Sequence, residues 1–407
     1  MFRPIDSKPK FPALEEQILK FWQEQRIFQK SVEQREGAPL FQLYEGPPTV
    51  NAAPGIHHVL SRVFKDVFPR YKAMKGYHTP RIAGWDTHGL PVELGIEEKL
   101  GFSSKTEIEA YGIGKFNQEC RESVSNNIGE WNKLTERIGF WVDLEHPYIT
   151  YNNSYIESCW WLLKQLWDKG LVYQGYRVTP HCPRCGTSLS SHEVALGYKD
   201  DTPDPSIFIR FKIASDLPFN SEADLPAHLL AWTTTPWTLT ANVALAVNPD
   251  ETYVLVKAIS PEETSEQLIF AKALLEQVLG PDNWEILEEF SGEKLAGIEY
   301  ERLFEPKPDF VVGGGELRQY NRVILADFVS MEDGTGIVHI APAYGQEDYD
   351  IGQAEDLPIV HTVDLDGNMM PSGKPWEGKF VKEADPLILD DLKSRGLLHH
   401  RETIKHT

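Results

Sequence analysis

Residues 39–91 read PLFQLYEGPPTVNAAPGIHHVLSRVFKDVFPRYKAMKGYHTPRIAGWDTHGLP. The first ten, "PLFQLYEGPP", read as a short buried strand that ends in a turn at Gly46-Pro47-Pro48, where backbone pairing cannot continue. The run "HHVLSRVFKDVFPRYKAMKG" reads as a helix closed by Gly76. "YHTPRIAGWDTHGLP" reads as a second strand ending at Gly84. Strand, loop, helix, strand is a right-handed crossover unit, the building block of a parallel sheet. Ligands in such sheets bind beyond the carboxyl ends of the strands. Both "GPPTVNAAPGIHH" and "GWDTHGLP" fall at such ends, so the two loops are expected to line one cleft.

Working outward, residues 12–30 place Leu14, Ile18, Phe21 and Trp22 on one helical face behind Pro12. Residues 103–175 read as helical, with Trp131, Trp141, Trp160, Trp161 and Trp167 expected to pack between long helices. From about 200 the texture changes to short β-rich runs, among them "SIFIRFKI", "LLAWTTTPWTL", "YVLVKAI", "RVILADFV" and "GIVHIAPA". These predict a barrel-like domain that interrupts the α/β part. The expected fold class is therefore α/β, half of a Rossmann-like parallel sheet with an inserted β-barrel-like domain. The expected segments are a helical extension with the first strand over 1–44, the α/β part over 45–199, the β-rich insert over 200–390 and a return segment over 391–407.

A chain of 407 residues exceeds one ordinary core, which calls for two or more domains. It is 41% hydrophobic and 25% charged, without an apolar run of bilayer length. The opening "MFRPIDSKPKFPALEEQ" lacks the basic-then-apolar order of a secretory signal, so a cytoplasmic location is expected. Forty basic residues against 61 acidic give a net charge of −21. That argues against coating nucleic acid by bulk charge, and leaves room for a nucleic-acid enzyme with a local basic groove. Cys120 and Cys159 stand singly in helical patterns and read as buried thiols.

Several motifs carry chemistry and also have plainer readings. His57 and His58, with Gly55 just before them, open a helix whose free N–H groups and partial positive charge suit phosphate. An imidazole there can donate to a phosphate oxygen, or merely pack or cap. Neither a complete GxxxxGK[ST] nor GxGxxG is present, which removes the two commonest phosphate loops. Asp86 at a strand end either grips an ammonium group or caps the next helix. "CPRCG" supplies two zinc-type thiolates, Cys182 and Cys185, half of a knuckle, with His181 and His192 as weak completions. Thr233, Thr234 and Thr235 in "WTTTPWTLTANVAL", and His339 and Asp348 in "DGTGIVHIAPAYGQEDYD", taken alone read as strand and turn residues. "DLDGN" at 364–368 and "VVGGGE" at 311–316 read as turns.

Taken in order, "YEGPP", the histidine loop, "KDVFPRYKAMKGY", "GWDTHGLPVE", "CPRCG", "SSHEVALGYK", "WTTTPWTLTAN" and "EDGTGIVHIAPAYGQED" resemble the class I aminoacyl-tRNA synthetases, nearest their isoleucyl branch. The valyl relatives differ in the second loop. The resemblance implies an enzyme that uses ATP with Mg as substrate, activates isoleucine, transfers it to tRNA(Ile) and hydrolyses valyl-tRNA(Ile), working as a monomer away from membranes. It implies that Gly46, Pro47 and Asp86 bind the amino acid, Asp86 taking the ammonium, and that Gly55, His57 and His58 face ATP. It also implies that Thr233, Thr234, Thr235, Asn242, His339 and Asp348 line the editing site, and that zinc belongs to the complete enzyme with only a half-site here. The family's His-x-Gly-His order is exchanged to Gly55-x-His57-His58, which predicts an altered adenylate pocket. The family's Lys-rich second signature and second sheet half are absent, so an N-terminal portion is expected, with a free-standing deacylase or a valine–tRNA ligase relative as the alternatives.

Overall fold

The strand–helix–strand unit forms where the glycines and prolines of residues 39–91 punctuate it. The structure, a computed structural model, describes residues 8, 10–195, 198–218, 225–258, 266–282, 284–313 and 320–406. It divides into two compact units, Met1–Gly175 and Tyr176–Thr407.

In the first unit α1 (Phe11–Glu24) and α2 (Ile27–Glu33) precede β1 (Leu43–Tyr44), α3 (Ile56–Met74) and β2 (Arg81–Trp85). Then come α4 (Leu90–Leu100), α5 (Lys105–Tyr111), α6 (Ile113–Arg137), β3 (Asp143–Ile149) and α7 (Asn153–Asp168). The sheet order is β1-β2-β3 and both pairings are parallel. Helix α3 stops before Gly76, whose φ of 89° is the left-handed turn that glycine adopts without strain.

Two expectations for residues 103–175 need correction. The stretch is not helical throughout: Asp143–Ile149 pairs with β2 as the edge strand. Its Asp, Glu, His and Pro hide the strand pattern, and an edge position tolerates the proline. The tryptophans also divide. Trp131 is 1% exposed, and Trp22 and Trp141 meet edge to face at 5.0 Å. Trp160, Trp161 and Trp167 on α7 are 70%, 62% and 65% exposed, because α7 buries none of its residues. Cys120 and Cys159 are half-buried rather than enclosed.

The second unit starts with a hairpin, β4 (His181–Cys182) and β5 (Thr187–Ser188), and the turn α8 (Ser191–Val194). Its main sheet uses β6 (Thr202–Lys212), β7 (Ala227–Thr233), β8 (Ala244–Val247), β9 (Thr252–Ala258) and β10 (Glu266–Ala271). After α9 (Leu275–Leu279) and β11 (Trp284–Ser291) come β12 (Val311–Gly313), β13 (Arg322–Leu325) and β14 (Ile337–Ile340). Helix α10 (Gln346–Ala354), β15 (Ile359–Val360), α11 (Val381–Ser394) and β16 (Leu398–His406) complete it. Residues 314–316 of "VVGGGE" lie outside the described residues.

Alternate residues of β6, β7, β9 and β10 enter two cores. Ile207, Ile209, Leu229, Leu255 and Ile269 face one; Phe208, Leu230, Val254, Val256, Leu268 and Phe270 face the other. Both faces are covered, which is why these strands read as continuous apolar runs. Strand β7 pairs antiparallel with β6 on one side. On the other it pairs with β10 at Ala227–Leu229 and then with β14 at Trp232, so the sheet splits there and curls.

The division after Gly175 places the "CPRCG" hairpin with the β-rich unit rather than before a boundary at 200. His181 Nε2 lies 2.7 Å from the Leu365 carbonyl, inside that unit. The segment 391–407 does not leave the unit as a return: β16 pairs with β6 from Leu398↔Ile209 to His406↔Thr202.

Candidate functional site

In the first unit the parallel ladder continues past both strands into both loops. Glu45 N donates to Ile82 O at 2.9 Å, Asp86 N to Pro48 O at 3.1 Å and Val50 N to Asp86 O at 3.0 Å. Thr49 Oγ1 then donates to Asp86 Oδ2 at 3.0 Å. The loops carrying Gly46, Pro47, the histidines and Asp86 are thereby brought together. Helix α6 holds the histidine loop: Asn127 Nδ2 donates to Val50 O at 2.8 Å and Trp131 Nε1 to Ala52 O at 3.0 Å. Tyr148 OH donates to Glu45 O. The tyrosine reaches it because Gly84 is bare; a Cβ there would lie 2.2 Å from the Tyr148 ring.

His58 Nδ1 accepts the Gly55 N–H at 2.9 Å, so the ring proton sits on Nε2, a donor of the kind a phosphate oxygen needs. Its ring lies 4.5 Å from that of Trp131 and 3.8 Å from that of His57. Burial, then His57, then Arg62 lower the His58 pKa, which keeps the ring neutral. A Cβ on Gly55 would meet His57 Cε1 at 2.8 Å, so a side chain at 55 would displace the exposed His57 ring.

Asp86 is half-buried, and its Oδ1 receives a long 3.4 Å contact from His88 N. Gly46 and Pro47 are exposed beside it. Glu45, 3% exposed, takes Lys65 Nζ at 2.8 Å, with Arg62 Nε at 3.9 Å. Thr49, Lys65, Asn127 and Trp131 were not foreseen as part of this site. Arg62 and Lys65 follow the histidines by about one and two helical turns, a spacing that signals a basic face. A threonine inside a Gly/Pro turn carries no such signal.

In the second unit a cavity of about 200 Å³ opens where the sheet splits at the end of β7. Thr233, Thr234, Thr235, His339 and Asp348 all line it, as do Thr238 and Tyr344, which sequence reading missed. Pro236–Ala241 forms a short 3₁₀ turn, which brings Thr238 back against the threonine run. Thr235 N donates to Thr233 Oγ1 at 3.1 Å. Asp348 Oδ1 accepts the Ala341 N–H at 2.7 Å, and burial raises its pKa. Burial pushes His339 down to about 4. Asn242 departs from its expected place. It does not line the cavity; its Nδ2 donates to Ala244 O at 2.9 Å and its Oδ1 accepts from Tyr300 OH at 2.7 Å. Both ends of its amide are engaged within the core.

Cys182 and Cys185 sit on the β4–β5 hairpin, half-buried and reduced. Burial raises the Cys185 pKa, followed by its contacts with Cys182. Zinc requires four donors, and among the described residues no cluster of three His, Cys, Asp or Glu side chains surrounds the pair. His181 is engaged by Leu365 O. The donors present therefore do not make a complete zinc site.

The description "tRNA synthetases class I (I, L, M and V)" matches residues 17–357. The chain belongs to this family of class I tRNA synthetases. Among curated relatives, the isoleucine–tRNA ligase of Dehalococcoides mccartyi is 53% identical over all of this chain and 41% of its own length. Those of Thermus thermophilus and Clostridium acetobutylicum are 49% and 48% identical over all of this chain and 37% of theirs. This class I synthetase chain thus spans about two fifths of the length of the curated relatives it matches. A solved structure, the crystal structure of GlLeuRS-CP1, aligns with 48% of the chain and 99% of its own at 15% identity and a TM-score of 0.37. Among the described residues no helix is long and apolar enough to cross a membrane.

Proposed function

We propose that this chain supplies the activation loops and the editing cavity of an isoleucine–tRNA ligase. The observation that carries the reading is the Thr49–Asp86 tie between the two strand-end loops, in a chain about half identical to curated isoleucine–tRNA ligases over its full length. ATP with Mg is the co-substrate that the family uses. An isoleucine carboxylate oxygen attacks the α-phosphorus of ATP and pyrophosphate leaves. Asp86, fixed by Thr49, accepts hydrogen bonds from the isoleucine ammonium, and Gly46 and Pro47 wall its side chain. His58, neutral and protonated on Nε2, donates to a phosphate oxygen as charge builds, with the tilted His57 ring beside it; this is electrostatic stabilisation rather than proton transfer. A terminal ribose hydroxyl of tRNA(Ile) then attacks the isoleucyl carbonyl carbon, forming the ester as AMP leaves.

A pocket that admits isoleucine cannot strongly reject valine, because one methylene is worth only about 1–3 kcal/mol; synthetases of this kind are the known example of that limit. The second-unit cavity answers it as a site for hydrolysis of valyl-tRNA(Ile). Asp348 is placed to receive the aminoacyl ammonium, Thr233–Thr235 to orient ester and water, and His339 to wall off the larger isoleucyl side chain. Such a site works by positioning water and needs no Ser-His-Asp set. The test is amino-acid-dependent ATP–pyrophosphate exchange by the full-length product of the reading frame that encodes this chain, together with deacylation of valyl-tRNA(Ile). Exchange driven by isoleucine supports the reading. Deacylation without exchange would leave a free-standing deacylase in its place.

A further inference from the structure

Thr238 makes two contacts that one hydroxyl proton cannot both supply. Its Oγ1 lies 2.8 Å from the Thr235 carbonyl and 3.0 Å from His339 Nε2. The carbonyl can only accept, so it takes the hydroxyl proton, and Oγ1 offers a lone pair to His339. That contact is attractive only if Nε2 carries hydrogen. The opposite tautomer would set two lone pairs face to face and leave an N–H on Nδ1, which is buried with no hydrogen-bond partner. An unsatisfied buried donor is costlier than a bare ring nitrogen in an apolar setting.

We infer that Thr238 is a positioning residue that fixes His339 as a neutral ring with its proton on Nε2, making it a fixed, uncharged wall of the cavity. The inference rests on the editing reading above for its consequence, though not for its geometry. Held this way, the ring is set by the main chain of the threonine run: Thr235 O orients Thr238, and Thr238 orients His339. His339 then acts by shape, excluding a side chain larger than valine, and moves no proton in the reaction. Burial, which pushes its pKa down to about 4, acts in the same direction. Loss of the hydroxyl releases the ring to turn, and the wall gives way first to the larger substrate.

The experiment labels histidine with ¹⁵N in the 407-residue chain and assigns the His339 ring by its disappearance in His339→Gln. At pH 7 the ring should show a protonated Nε2 and a bare Nδ1. Thr238→Ser should preserve that pattern, and Thr238→Val should replace it with a tautomer mixture. In parallel, hydrolysis of isoleucyl-tRNA(Ile) should rise on the order of tenfold in Thr238→Val, with valyl-tRNA(Ile) hydrolysis changed less, and Thr238→Ser should restore discrimination. A charged or Nδ1-protonated ring in the parent, or an unchanged ring in a folded Thr238→Val, would overturn the inference. Absence of hydrolysis in every variant would sink the editing reading alone, because the ring signals are read without substrate.

Discussion

Thr49 donates its hydroxyl proton to Asp86 Oδ2 across 3.0 Å, tying the loop after β1 to the loop after β2. The bond orients the carboxylate without neutralising it, as a cation there would. Thr49→Val should therefore raise KM for isoleucine about threefold to tenfold in ATP–pyrophosphate exchange, with KM for ATP little changed. Thr49→Ser should behave as the parent. Equal rises in both KM values would mean that the loop had collapsed as a whole.

Gly55 and His57 should behave as one unit. A side chain at 55 enters the space of the His57 ring, which lies 2.8 Å from a Cβ built there. Gly55→His alone should slow activation, and adding His57→Gly should recover part of the loss. The coupling expected for groups in contact is about 1 kcal/mol or more. Strictly additive effects on exchange rates would contradict this reading, as the two positions would then be independent.

Gly84 is kept bare by Tyr148. Alanine at 84 would drive a methyl group into the Tyr148 ring, and the ring or the backbone must shift. Gly84→Ala should destabilise the first unit by about 1–3 kcal/mol, read from urea midpoints. Combining it with Tyr148→Ala should cost less than the sum of the two single changes. A neutral Gly84→Ala would show that the ring does not cross β2 there.

Asp385 on α11 accepts the Trp237 N–H at 2.9 Å, at the start of the turn that carries Thr238. Burial raises its pKa to about 6 despite the opposing effect of Lys382. The folded chain therefore holds this proton where the unfolded chain has lost it. The contribution to stability is greatest below pH 4, falls as pH rises towards 6, and is then constant. Its span is about 3 kcal/mol. Asp385→Asn keeps an acceptor and removes the titration. The variant should therefore gain in urea midpoint over the parent between pH 4 and pH 7. A difference that does not vary with pH would contradict the raised pKa.

Much of this architecture is legible in the chain because glycine and proline mark where backbone pairing stops. Gly46-Pro47-Pro48, Gly76 and the "GWDTHG" turn delimit β1, α3 and β2 within a residue or two, and continuous apolar runs reveal strands buried on both faces. Strand β3 was hidden because an edge position admits the charges and proline of "DLEHPYI". The boundary after Gly175 was hidden because the "CPRCG" hairpin is too short to show a strand pattern. Residue type alone also could not say which way a polar side chain faces. Asn242 turns its amide to Ala244 and Tyr300, whereas Thr238, three residues beyond the threonine run, reaches the cavity because a 3₁₀ turn folds it back.

The most direct measurement is a crystal structure of the full-length product of this reading frame bound to a non-hydrolysable isoleucyl-adenylate analogue. The ligand ammonium should lie within hydrogen-bond distance of an Asp86 carboxylate oxygen, with the phosphate beside His58 Nε2 and the side chain against Gly46 and Pro47. An analogue seated elsewhere, with Asp86 still turned only to Thr49 and His88, would contradict the account.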